Sequence, residues 1–422
     1  MIKIAFYAIL SIQTLQALRS TGKSRNSLDF ILIGDFGNFQ TQTGLSEQNF
    51  DIIDWYAANM KETVEGVILL GDSMYAQNKF YPTEQEQQAL IDLFKTRPTL
   101  SQIPIHHIRG NHDMEYTYDN YLKYSTMHSN WLLRYKFYVE YFDLPSISGT
   151  HLDKKAQFLF IDTNIMYCAY DFTFHWNCTQ DDVNEAEFQK QWLIYQLRLH
   201  QNDHNVVWRV VVAHQPIFQK QELDDVTTLN LLLPILLEHK VDMYLSGHEH
   251  MQYHAFYPHS KVNNSESRYY VDEFDNVTLY RNRKQHKANF DWKNTTLIQQ
   301  RQQKEQAATN SQSQNNQIPK LDYLQFNKSE GNLHQIVDGS GGKDMHSSNI
   351  NQPSRACYSY MQNQYFGFSH LQLTAEEIQV TFMSSEYGHS LFSLYPNMNP
   401  EKMLIADPKV QMTVKIINDM QK

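Results

Sequence analysis

The chain has 422 residues, 46 acidic against 36 basic, and a formal net charge of -10. That balance argues against a general nucleic-acid binder, which needs a basic face to meet phosphates. Three cysteines exclude a disulfide-built miniprotein and a four-cysteine zinc module, and the length allows either several domains or one large α/β domain carrying insertions. At the start, Lys3 precedes an apolar stretch from Ile4 to Leu18, and Ala17 to Ser20 offers small residues for cleavage. This predicts a signal peptide over residues 1–20, too short and too polar toward its end for a membrane span. A buried first strand or helix is the alternative reading. No later stretch is long and apolar enough to cross a bilayer.

Apolar runs and segments of helical period then alternate. Phe30–Ile33 leads into GDFGN, and a helix is predicted over Phe50–Met60. Val67–Leu70 leads into GDSMY and is followed by a second helical pattern over Glu84–Phe94. Ile105–Ile108 ends at GNHD and Phe158–Ile161 at DTN. A helix over Glu187–Leu199 precedes Val206–Ala213, which ends at HQP. Leu229–His239 is the last clear helix, before Met243–Leu245 and SGHEH. Buried strands alternating with helices indicate α/β architecture. Side chains just past the carboxyl ends of such strands gather at one sheet edge, the usual place for a site.

The character changes near Tyr257. Residues 261–328 are polar, hold four of the five Asn-x-Ser/Thr sequons (Asn263, Asn276, Asn294 and Asn327) and include a Gln/Asn-rich tract over Gln299–Gln317. Such composition buries too little apolar surface to offset its ordering entropy. The expected organisation is therefore one catalytic domain built from 28–258 and 333–395, a flexible glycosylated insertion at 259–332, and a tail at 396–422. Globular pattern resumes at Leu333–Gly342. Tyr365–Leu373 and Glu377–Phe382 are expected to complete a second sheet. The sequons, with Asn177 as the fifth, and the export signal agree with a secretory route and N-glycans. In an oxidising compartment Cys168 and Cys178 can close a short loop, which leaves Cys357 over and the pairing open.

Each polar cluster alone reads as a turn: GDFGN and GNHD end strands, and GHEH passes as a surface loop. Tyr75 alone is a packed aromatic, Asn111 a turn former and His214 a core imidazole. The ordered set D-x-G, GD-x-x-Y, GNH, Ala-His-x-Pro and GHxH is a different matter. It resembles the metallophosphoesterase superfamily and, within it, the purple acid phosphatases, with the animal tartrate-resistant branch most similar. The resemblance covers Leu28–Tyr257 and Leu333–Phe392, where VDGSGG and GHSLF look like the family's late loop and strand. Tyr75 is the discriminator, since GDxxY supplies a tyrosinate where most relatives outside this subclass have none.

The resemblance implies a four-layer α/β/β/α sandwich carrying two metals. Asp35, Tyr75 and His250 would hold iron(III). Asn111, His214 and His248 would hold a second divalent metal (iron(II), zinc or manganese), with Asp72 bridging. Hard anionic donors suit the trivalent ion, and imidazoles with an amide oxygen suit the divalent one. Two such cations bind phosphate oxygens and acidify a coordinated water, whose hydroxide attacks phosphorus in line. His112 would hydrogen-bond the phosphate and assist the leaving group. Leu223 stands where animal-type relatives carry a second substrate His, so proton donation falls to neighbouring Glu222, to His112 alone, or to a His from elsewhere. Ser246 stands where the family often has a disulfide Cys, which points Cys168 toward Cys178. The implied function is a secreted or lysosomal acid phosphatase acting on a small phosphomonoester or phosphoprotein, with no nucleic-acid partner. The alternatives are a phosphoesterase for diesters or nucleotide pyrophosphates, and a binding or scaffold protein on the same fold.

Overall fold

The computed structural model describes residues 26–37, 45–60, 64–75, 84–115, 124, 128–133, 135–149, 153–170, 178–219, 226–257, 323–343, 345–346, 356–363, 365–385 and 409–420. The expected signal peptide, four of the sequons, the Gln/Asn-rich tract, Glu222, Leu223 and GHSLF lie outside them. Two sheets dominate. The first runs, edge to edge, β10 (Tyr323–Asn327), β15 (Lys409–Ile417), β14 (Glu377–Ser384), β13 (Gly367–Leu373), β1 (Leu28–Ile33), β2 (Val64–Leu69), β3 (Ile105–His107) and β4 (Trp131–Leu132). Its β1, β2 and β3 are parallel. The second runs β12 (Cys357–Gln362), β9 (Gln252–Tyr257), β11 (Leu333–Asp338), β8 (Met243–Ser246), β7 (Val206–Val212), β6 (Lys155–Phe160) and β5 (Tyr138–Asp143). Here β6, β7, β8 and β11 are parallel.

The apolar runs are continuous because each strand is covered on both faces. On β1, Phe30 and Leu32 point between the sheets to meet Phe158, Val210 and Leu245, while Ile31 and Ile33 point out to a helical layer. That layer is α1 (Leu45–Asn59) and α2 (Glu84–Lys95), which supply Phe50, Ile53, Leu90 and Phe94. On the far side, α4 (Gln180–Leu199) and α5 (Val226–Glu238) pack Leu193, Leu232 and Leu236 on Val211 and Tyr244 of the second sheet. The result is the expected α/β/β/α stack, in which period-two strands serve two cores at once.

Three features of the sheets differ from expectation. β13 and β14 join the first sheet, where β13 pairs antiparallel with β1, rather than completing the second. Residues 409–417, in the expected tail, form β15, which places Met412, Val414 and Ile416 in the inter-sheet core. β10 lies within the expected insertion and pairs parallel with β15. Alternation of Val410, Met412, Val414 and Ile416 is the signal that marks this strand.

Helix α4 begins at Gln180, seven residues ahead of its apolar period, because Thr179 and Asp182 form a capping box. The Asp182 N–H donates to the Thr179 hydroxyl at 3.2 Å and the Thr179 N–H to the Asp182 carboxylate at 2.9 Å. Just before that cap, a disulfide joins Cys178 to Cys168 in α3 (Thr163–Tyr170).

Candidate metal centre

The polar clusters meet where the carboxyl ends of strands from both sheets come together. Asp35 follows β1, Asp72 and Tyr75 follow β2, and Asn111 and His112 follow β3; His214 follows β7, and His248 and His250 follow β8. Asp35, Asp72 and His248 have positive φ angles of 57°, 50° and 70°. Non-glycine residues seldom sit there, and at these three positions the surrounding loops hold the backbone in the left-handed region. Close packing has the same origin. A Cβ on Gly110 would come 2.1 Å from Asp72 Oδ1, so the GNHD loop crosses GDSMY only with glycine at that point.

The expected ligands fall into two adjoining groups. Tyr75 Oη lies 3.1 Å from Asp35 Oδ1 and 3.1 Å from His250 Nε2, and His250 Nε2 is 3.6 Å from Asp35 Oδ1. In the second group His214 Nε2 is 3.0 Å from Asn111 Oδ1 and 3.4 Å from Asp72 Oδ1. Donor atoms of Asp72, His214 and His248 all lie within 4.8 Å of one another. The His248 N–H donates to Asp35 Oδ2 at 2.8 Å and joins the groups. His214 Nδ1 donates to the Leu70 carbonyl at 2.7 Å, which leaves Nε2 to face the amide and carboxylate oxygens.

This donor set fits cations. In the protein by itself, burial raises the Asp35 carboxyl well above its usual range despite His214 nearby. Burial, with Asp35 and Asp72, likewise raises Tyr75. His214 behaves in the opposite sense: burial disfavours its charge, but Asp72 and Asp35 outweigh burial and lift it to about 9. His248 falls to about 3 through burial and the charge of His214. Two carboxylates, a phenol and an amide oxygen packed against one another call for positive charge, which is the same demand that raises His214.

Second-layer contacts hold the loops. Asp113, fully buried, accepts from the backbone N–H groups of Gly110, Ser73 and Met74 at 2.7, 3.3 and 3.2 Å, and so ties GNHD to GDSMY. Arg109 forms a buried ion pair with Asp162 of the DTN run. Asn164 donates to the Arg109 carbonyl at 3.1 Å and accepts from Gln215 at 2.7 Å, which links the HQP loop. His107 bonds Ser73 at 2.9 Å, His106 stacks on Phe160, and His254 bonds His334 at 3.1 Å; these are structural histidines. Tyr124 is buried against Trp131, while Tyr116, Tyr118 and Tyr121 lie outside the described residues.

His112 is half-buried, with its N–H on Asp72 Oδ1 at 2.8 Å and its ring centroid 4.4 Å from that of Tyr75. The loop after β11 brings two further side chains. His346 stacks on His250 at 3.7 Å, accepts its N–H on Nδ1 at 3.2 Å, and donates its own N–H to the His250 carbonyl at 3.1 Å. Lys343 places its ammonium 4.8 Å from the Tyr75 ring centroid. Neither was legible in the sequence, where both follow a glycine-rich stretch without a motif of their own. Asp113 was visible within GNHD, and its loop-tying role was not.

The signature of the calcineurin-like phosphoesterases matches residues 28–252, more than half of the chain and every position of the cluster. The chain belongs to that family. Among relatives of this calcineurin-like phosphoesterase is purple acid phosphatase 4 of Arabidopsis thaliana, 26% identical over 236 residues, which are 54% of this chain and 63% of the relative. The match thus spans less than two thirds of that protein. Tartrate-resistant acid phosphatase type 5 is 25% identical in Sus scrofa, over 54% of this chain and 65% of the relative. The Homo sapiens form is also 25% identical, over 58% and 74%. Among solved structures, GAP50, the anchor in the inner membrane complex of Plasmodium, superposes with a TM-score of 0.52 at 16% identity, over 92% of this chain and 96% of that one. That likeness concerns the fold.

Proposed function

We propose that the protein is an acid phosphatase that hydrolyses phosphate monoesters at a binuclear metal centre. The observation that carries this reading is the convergence of seven donor side chains in two contiguous groups. Asp35, Tyr75 and His250 would hold iron(III), Asn111, His214 and His248 would hold a divalent iron, zinc or manganese, and Asp72 would serve both. When bound, the two cations neutralise phosphate charge and acidify a water to serve as nucleophile. His112 binds a phosphate oxygen and passes a proton to the leaving alcohol, and Glu222 is the second candidate donor. His214, fixed by the Leu70 carbonyl, presents Nε2 in one tautomer. His346 clamps His250 by stacking and backbone hydrogen bonds and orients it. The apolar N-terminal stretch expected to act as an export signal, with the sequons, supports a secreted or lysosomal location with N-glycans. Among the described residues no helix is long and apolar enough to cross a membrane.

The metal-loaded protein should turn over a generic aryl phosphate near pH 5 and show a visible charge-transfer band from Tyr75. Tyr75→Phe abolishes the band, which an absorption spectrum reads directly; a band that persists assigns the chromophore elsewhere. His112→Ala lowers kcat on an aryl phosphate by roughly 10²–10⁴-fold, the usual contribution of general acid–base catalysis. Unchanged kcat would remove His112 from the mechanism. A wild-type protein with full metal content and no turnover favours the scaffold reading instead.

A further inference from the structure

The loop that leaves β11 is built to hold one cationic side chain in place. At its start, the buried Asp338 carboxylate accepts from Ser340 Oγ at 2.7 Å, from Gln252 Nε2 at 3.1 Å and from the Ser369 hydroxyl. The Gly341 N–H then donates to the Gly34 carbonyl at 3.0 Å, and the Lys343 N–H to the Asp35 carbonyl at 2.9 Å. Gly341 admits no side chain, since a Cβ there would sit 2.3 Å from the Gly34 oxygen. The backbone of Lys343 is therefore registered against the backbone of Asp35 itself.

From that anchor the half-buried Lys343 ammonium lies 4.8 Å from the Tyr75 ring centroid, and the same ring contacts His112. Among the described residues no hydrogen bond or ion pair holds the partly exposed Lys343 Nζ, which carries three donors. Beside a centre that would hold two other cations, the ammonium is drawn to an anion with several free oxygens that lies between them.

We infer that Lys343 is a phosphate-binding residue that takes the third non-bridging oxygen of a terminal phosphoryl group. This rests on the phosphate-ester reading above. A monoester has three non-bridging oxygens; a diester has two, with an alkoxy group in place of the third. Lys343 thus sets the preference of the site for monoesters.

The test uses the metal-loaded full chain and its Lys343→Met and Lys343→Arg variants. Calorimetric titration with inorganic phosphate is paired with kcat/KM on p-nitrophenyl phosphate and on bis(p-nitrophenyl) phosphate, and with the absorption spectrum. Lys343→Met should weaken phosphate binding by roughly 10–100-fold, as loss of a charge-assisted hydrogen bond implies. The monoester kcat/KM should fall by a similar factor, chiefly through KM, with the diester nearly unchanged. Lys343→Arg should recover most of the affinity. Metal content and the phosphate-free spectrum should stay as in the wild type. Unchanged phosphate affinity overturns the inference, as do equal losses on both esters. A displaced phosphate-free band with normal affinity also overturns it, because Lys343 would then serve only the phenolate. If the wild type hydrolyses no ester, the phosphatase reading fails and the phosphate titration alone decides Lys343; a wild type that binds no phosphate sinks both.

Discussion

Asp72→Asn should cost roughly 10³-fold or more in metal-dependent turnover, since several kcal/mol of charge stabilisation are at stake and each 1.4 kcal/mol is about tenfold. The substitution is nearly isosteric, and an asparagine oxygen can still accept the His112 N–H that Asp72 Oδ1 receives at 2.8 Å. The loops therefore keep their course, and what disappears is a buried negative charge. Asp72 is placed to be shared because it lies by His214 at 3.4 Å and close to His248 in one group, while its charge also acts on Asp35 and Tyr75 in the other. Removing it takes away the main carboxylate that holds the His214 proton.

Three measurements check this: metal per chain by mass spectrometry, turnover, and the melting temperature with and without metal. Metal at a thousand times its dissociation constant stabilises a protein by about 4 kcal/mol, so the wild type should gain several degrees that Asp72→Asn does not. The metal-free variant should melt lower than the metal-free wild type, because it loses the buried attraction between Asp72 and His214, which outweighs the repulsion from Asp35. A variant that retains two metals per chain and turnover within tenfold of wild type would show that Asp72 is not the shared ligand.

The second large effect is on stability. Asp113→Ala leaves three buried backbone N–H groups, those of Gly110, Ser73 and Met74, without their acceptor. An unmet buried donor costs about 1–3 kcal/mol. Some relaxation is available to a loop, so a total of about 3 kcal/mol or more is expected in denaturant unfolding of the metal-free protein. Activity should also fall, by roughly 10–100-fold, as is usual when a residue supporting metal ligands is lost. Asp113→Asn keeps an acceptor oxygen and should lose less on both counts. A stability loss under about 1 kcal/mol would mean that the two loops hold their course without the carboxylate.

Particular residues show where sequence reading succeeds and where it stops. Asp35, Asp72, Asn111, His214 and His248 each follow an apolar run, and a run of that kind is a buried strand wherever helices cover it. The strand ends could therefore be read one by one. Asp113 sits in the same motif, but its function is to accept from Ser73 and Met74, forty and thirty-nine residues away, and nothing local encodes that. His346 meets His250 across 96 positions. The alternation of β15 is as regular as that of β14, but nothing in it names β14 and β10 as its partners. The start of α4 lies ahead of its apolar period because its first turn is polar and the Thr179–Asp182 cap marks it.

Periodicity, capping and turn chemistry are properties of neighbours along the chain, so strands, helices and the ligand-bearing turns were open to inspection without coordinates. Layer order is not such a property. That β13 lies beside β1, that strand ends from two different sheets face one another, and that the glycine loop after β11 aims Lys343 at Tyr75 all depend on how remote segments stack and in what register. Those contacts exist only once the two sheets have closed on each other, because an apolar run specifies that it must be buried and leaves open against which partner.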